Sequence, residues 1–99
     1  MTVKIFIKRH VRANKVDLAY ALLNRIRSNA MHQPGYVSGE TLVNHYDDRS
    51  ITVISTWQRV EDWIRWEESD ERAANEAELE SLLEEPTKFE VYDLGISSK

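Results

Sequence analysis

The apolar positions of this chain alternate between a spacing of two and a spacing near 3.6, and the alternation sets out its elements. "VKIFIKRHV" (3–11) is rich in β-branched residues and carries apolar groups on both alternating faces, so it reads as a strand. In "NKVDLAYALLNRIRSNAMHQ" (14–33), Leu18, Ala19, Leu22, Leu23, Ile26 and Ala30 share one stripe, as an amphipathic helix requires. Asn14 is placed to N-cap that helix, with Asp17 in its first turn where a negative charge suits the dipole. "QPG" (33–35) stops it, since the residue before proline avoids helix and glycine opens the turn. "YVSGETLVNHY" (36–46) and "SITVISTWQ" (50–58) are two strands joined as a hairpin through "DDR". A second helical region runs from about residue 59 to 85, with a break expected near residues 69–70, and Pro86 ends it. "KFEVYDLG" (88–95) is the last strand.

The order β-α-β-β-α-β predicts an α+β fold of the ferredoxin-like kind. Its four-stranded antiparallel sheet has both helices on one face, in a single domain over residues 1–99. The strands, however, are apolar on both faces. Val3, Ile5 and Ile7 oppose Phe6, while Ile51, Val53 and Trp57 oppose Ile54. A sheet face left uncovered with Phe, Ile and Tyr invites a partner, and a closed two-fold homodimer packed sheet to sheet is the economical one.

Composition narrows the class. With 41% apolar and 30% charged residues the chain reads as a soluble globular domain. It contains no signal pattern and no apolar run near the roughly 20 residues of a membrane span. The absence of cysteine excludes thiolate chemistry and disulfides, and a cytoplasmic protein is expected. Residues 1–30 hold seven Lys/Arg and one Asp, whereas residues 31–99 hold six Lys/Arg and sixteen Asp/Glu. The basic share has no run and no interleaved aromatics, so nucleic acid is not expected as a partner. Instead, oppositely charged elements should be neighbours in the fold.

All three tryptophans fall within "TWQRVEDWIRWEES" (56–69). By helical spacing Val60, Trp63 and Ile64 form one face, which makes Trp63 core. Trp66 lies roughly 110° from that stripe, and is read either as a rim aromatic or as the wall of a ligand pocket. Trp57, at a strand end, is read as core or dimer interface.

These residues resemble a known family. "QPGYVSGETL", a hairpin strand ending "ISTWQ", a helix with "DWIRWEESDE" and a last strand "FEVYDLG" are similar to the antibiotic biosynthesis monooxygenase (ABM) domain over nearly the whole chain. The landmarks are Pro34-Gly35-Tyr36, Trp57, and Trp63 and Trp66 with Ser69. The resemblance implies a dimeric α+β barrel, and membership of a group that includes cofactor-independent oxygenases of polycyclic phenols and quinols, haem-degrading oxygenases and members without assigned activity. The haem branch carries an Asn on the first strand, a Trp on the second helix and a His further along it. Trp66 matches the Trp, but the first strand has no Asn and the second helix has no His, with Glu76 near its place. A carboxylate replaces imidazole poorly on haem iron, so haem degradation is not expected and no cofactor is assigned.

A cofactor-free oxygenase requires a dry, flat pocket, and polar groups that take the phenol proton so that the anion can pass an electron to molecular oxygen. Trp66, Tyr36, Tyr46 and Tyr92 are the expected substrate-binding residues, and His45, Asn44 and Arg9 the expected catalytic ones. His45 is singled out as the only histidine in the middle hairpin, histidine being the residue type suited to proton transfer near neutral pH. His10 and His32 are assigned to the surface. Histidines at 10, 32 and 45 show no ligand spacing, so no metal site is expected. The Glu-rich run from Glu67 to Glu85 reads as a solvated helix face, and neither a phosphate loop nor a Ser/His/Asp order is present. The expected function is a small monooxygenase acting on a phenolic or quinol substrate. The alternative is a non-catalytic dimer that binds a small aromatic ligand or serves as a stress accessory.

Overall fold

Four antiparallel strands form one sheet, and the helices cover one of its faces. The computed structural model describes residues 1–95. The elements are β1 (Val3–His10), α1 (Val16–Ala30), β2 (Tyr36–Asn44), β3 (Asp47–Trp57), α2 (Val60–Glu67), α3 (Asp70–Glu80) and β4 (Lys88–Asp93). With the strands side by side as β2-β3-β1-β4, this is the ferredoxin-like arrangement with its second helix in two pieces. The break lies at Ser69, whose Oγ donates to Trp66 O at 2.8 Å and accepts from Arg72 N at 3.2 Å. One hydroxyl thus closes α2 and caps α3.

Strand alternation builds the core. Val3, Ile5, Ile7, Arg9 and Val11 all point under the helices and are buried. In register, Val3 pairs with Trp57, Ile7 with Val53 and Arg9 with Ile51 on β3. From α1 come Ala19, Leu22, Leu23, Ile26 and Ala30, all buried as their stripe requires. The opposite face of the sheet carries Phe6, Ile54, Leu42 and Tyr92 among charged neighbours such as Lys8 and Glu90, which pair at 2.9 Å. Phe6 and Tyr92 meet edge to face with ring centroids 5.3 Å apart. No helix among the described residues is long and apolar enough to cross a membrane.

Several local expectations are corrected. Asn14 does not cap α1: it sits at φ 67°, a left-handed position that Asn tolerates, and the helix begins at Val16 without a side-chain cap. Leu18 is exposed at the edge of its stripe. The hairpin turns at His45 and Tyr46, with Asp47, Asp48 and Arg49 already in β3. The physical reason is Asn44, whose Oδ1 accepts from Tyr46 N at 2.8 Å and Asp47 N at 3.1 Å, closing a tight Asx turn. On α2 the buried face runs through Asp62, Trp63 and Trp66, while Ile64 is 41% exposed. The helix is rotated from the Val60–Trp63–Ile64 face so that Trp66 turns inward beside Arg72 and Glu76 on the slot wall.

The basic first third and the acidic remainder do meet. Lys8 pairs with Glu90 at 2.9 Å, Arg9 with Glu76 at 2.7 Å, and His10 Nδ1 lies 3.1 Å from a Glu84 carboxylate oxygen.

Candidate functional site

A slot opens between the helix-facing side of the sheet and the three helices. Counted out to its open mouth it spans about 510 Å³, most of it narrow, so a flat ligand must spread its walls. Arg27 stands at the rim, exposed, donating to Gly39 O at 2.8 Å.

The walls are aromatic. Tyr36, Trp57, Trp63 and Trp66 all line the slot, with Ile7, Leu23, Ile26 and Val53 completing its apolar surface. Tyr36 meets Trp57 edge to face at 5.3 Å, and Trp57 lies 6.1 Å from Trp63, within the range of favourable ring pairs. Trp57 Nε1 donates to Ser55 Oγ at 3.1 Å, which fixes the indole in its buried place. Trp66 is only 3% exposed, so it belongs to the wall rather than to the rim.

The Pro34-Gly35-Tyr36 turn delivers Tyr36 to this wall. Gly35 has φ 86°, and a Cβ there would lie 2.2 Å from the side chain of Asp62. Asp62 is itself buried and held by Arg65 at 3.2 Å and Arg59 at 3.6 Å. Both the left-handed backbone and the close approach of α2 require glycine.

The floor is ionic. Arg9 reaches the slot because position 9 continues the inward row of Val3, Ile5 and Ile7. Arg72 and Glu76, four apart on α3, share a helix face and meet it there. Arg9 Nη2 donates to Glu76 Oε1 at 2.7 Å, and Arg72 Nη2 lies 3.3 Å from the same oxygen without hydrogen-bond alignment. Arg72 also sits over the rings of Trp63 and Phe89, 5.4 and 5.7 Å from their centroids. Among the described residues, Arg9 Nε and Arg72 Nη2 are buried without a hydrogen-bond acceptor. Such an unmade bond typically costs about 1–3 kcal/mol. Burial pulls the Arg9 pKa below its ordinary value, the Glu76 charge and hydrogen bond oppose that, and Arg72 adds to the lowering.

Of the residues expected from the sequence, Arg9, Tyr36 and Trp66 come together in the slot. The structure does not bring the other four there. Asn44 is engaged in the hairpin turn, Tyr46 is 93% exposed, and His45 stacks edge-on against Tyr46 at 4.8 Å. Tyr92 faces away from the helices because β4 pairs it opposite Lys4, an outward position. Arg72 and Glu76 were missed, since they lie inside a Glu-rich run that reads as solvated. Glu76 departs from that reading because its face of α3 packs over β1. The signal available was the i, i+4 opposite-charge pair, together with an Arg in phase with three inward apolar residues.

No family model matches the sequence, and the comparison with curated proteins found no match. Solved structures are. SnoaB, a cofactor-independent oxygenase from Streptomyces nogalater, superposes with TM-score 0.87 at 16% identity, covering 97% of this chain and 95% of that one. An antibiotic biosynthesis monooxygenase gives TM-score 0.87 at 10% identity over 95% of this chain and 99% of its own. A conserved protein from Methanosarcina mazei gives 0.88 at 15% identity over 93% and 91%. The dissimilar sequences share one backbone path, and the chain has the ferredoxin-like fold of the antibiotic biosynthesis monooxygenase proteins.

Proposed function

We propose that this protein is a small cofactor-independent monooxygenase whose substrate, a phenol or quinol, lies in the aromatic slot. The observation that carries the reading is the gathering of Tyr36 and all three tryptophans on one cavity. The fold shared with SnoaB supports it. Trp66 and Tyr36 are the walls against which a flat ring packs, and Arg9 is a polar group within reach of its oxygen. The chemistry requires little else. The substrate supplies the electrons, one atom of molecular oxygen enters its ring, and the other leaves as water. Excluding bulk water strengthens every electrostatic contact to the ionised ring. The test is oxygen uptake with a panel of hydroquinones and dihydroxynaphthalenes. The reading expects one O₂ consumed per ring oxidised for at least one of them, with loss of that turnover in Trp66→Ala.

A second reading has its own observation: none of the three histidines lines the slot. On that reading the protein binds a small aromatic molecule without oxidising it. Quenching of tryptophan fluorescence by the same panel, without oxygen uptake, would select it.

The active unit in this proposal is a homodimer packed through the open sheet face. Phe6, Leu42, Ile54 and Tyr92 supply its apolar surface, and closed two-fold pairing is the commonest way to cover such a face. Sedimentation at micromolar concentration should give about twice the 11.6 kDa chain mass, and a clean monomer contradicts it.

A further inference from the structure

The floor of the slot holds two buried guanidinium groups and one carboxylate. Arginine stays protonated even when buried, so the ion-paired group of Arg9, Arg72 and Glu76 carries one net positive charge withdrawn from water, while the Glu80 charge that Arg9 also feels sits on an exposed side chain. The carboxylate is shared through a single oxygen, at 2.7 Å from Arg9 and 3.3 Å from Arg72. Two N–H-bearing atoms, Arg9 Nε and Arg72 Nη2, keep unspent donor capacity in a place that water scarcely reaches. Arg72 is further fixed over Trp63 and Phe89, so its plane is set before any ligand arrives. A core that needed only an internal ion pair would be complete with one arginine. Two arginines on one glutamate leave room for a second anion.

We infer that this floor is an anion subsite, and that the ligand of the slot is a flat aromatic bearing one ionised oxygen group, a carboxylate or a phenolate, which accepts from Arg9 and Arg72. The inference rests on the slot being the ligand site and specifies the head group that it takes. A monoanion brings the floor to neutrality, and Glu76 is the resident counter-ion that shares the guanidiniums with it. A doubly charged group would overshoot that balance, and a neutral ring would leave the donors unmet.

The test is calorimetric titration of the full chain with 2-naphthoate, 2-naphthamide and 2-naphthol. At pH 7 the naphthoate should bind at least about tenfold tighter than the naphthamide, a difference of about 1.4 kcal/mol. If phenolate is the natural head group, 2-naphthol should tighten by a similar factor as the pH is raised through its own ionisation. In Arg72→Met, which keeps an apolar stem, the preference for the anion should collapse to within about threefold while naphthamide binding persists. Glu76→Gln gives an independent arm: it should melt lower than the parent chain, yet gain more in melting temperature from naphthoate. A merely structural Glu76 would give an equal or smaller gain. If naphthoate and naphthamide bind alike and naphthol does not respond to pH, the anion subsite is refuted while the aromatic slot stands. If none of the three binds, the slot reading falls and takes this inference with it. Naphthoate binding that survives Arg72→Met unchanged places the anion elsewhere and also refutes it.

Discussion

At the hairpin turn, Asn44 spends its side-chain oxygen on two backbone N–H groups, and His45 and Tyr46 stand in solvent with their rings against each other. At the floor of the slot, Arg9 and Arg72 are buried against Glu76, Arg72 lies over two aromatic rings, and Arg9 Nε and Arg72 Nη2 lack acceptors. Both regions gather polar groups of the kinds that catalysts use. The turn has met its own needs with local bonds and water, so its polar groups explain a bend in the chain. The floor has not, and a buried group left wanting a partner is the costlier state. Residue type alone points to the histidine at the turn. Burial and satisfaction point to the arginines.

The largest effects that can break this contrast are in the walls. Trp63→Ala and Trp66→Ala should each cost about 3–5 kcal/mol, because both indoles are buried and truncation leaves a cavity. His45→Ala should stay within about 0.5 kcal/mol. Thermal melts of the three variants would decide it, since 1 kcal/mol moves the midpoint by roughly 4–8 °C in a domain of this size. A Trp66→Ala variant as mild as His45→Ala would show that α3 does not close over the slot.

Next in size is Gly35→Ala. A left-handed alanine costs about 1–2 kcal/mol, and its Cβ would drive into the buried Asp62, so a total near 2–4 kcal/mol is expected. Because this turn delivers Tyr36, the variant should also weaken aromatic ligands. Destabilisation with ligand affinity unchanged would remove Tyr36 from the wall.

How much of this was legible beforehand follows from which distances along the chain matter. The strands and α1 show in the sequence because each is set by its own period, as in Val3, Ile5 and Ile7 or Leu22, Leu23 and Ile26. The break before α3 is also legible, since Ser69 acts within four residues of itself. The pocket-wall reading of Trp66 is legible but its full burial is not, because the apolar Val60, Trp63 and Ile64 put the stripe roughly 110° away and what covers the indole comes from outside α2. Arg72 and Glu76 look like any charged pair on a wet helix, and only the packing of α3 against the sheet distinguishes them. Arg9 was the partial exception, since its phase in β1 already pointed inward.

The smallest effect concerns the exposed ion pairs away from the slot. The Arg49 backbone N–H, followed by His10, holds Asp47 below the ordinary carboxylate range, and Lys8 does the same for Glu90. Such groups stabilise the fold above the ordinary carboxylate pKa of about 4, and that stabilisation is lost as the pH falls through their lowered values. Glu90→Gln should therefore differ slightly from the parent chain at pH 7 and match it near pH 2, with about 1 M salt removing the difference even at pH 7. A difference that persists in acid or in salt would mean that Glu90 acts through packing instead.

The contrast between turn and slot is tested most directly by NMR titration with 1,5-dihydroxynaphthalene, following the three indole N–H signals and the His45 ring protons together. The indole signals of Trp57, Trp63 and Trp66 should shift in a saturable way while His45 stays put. Saturable shifts at His45 with the indoles unmoved would contradict the contrast and return the site to the hairpin.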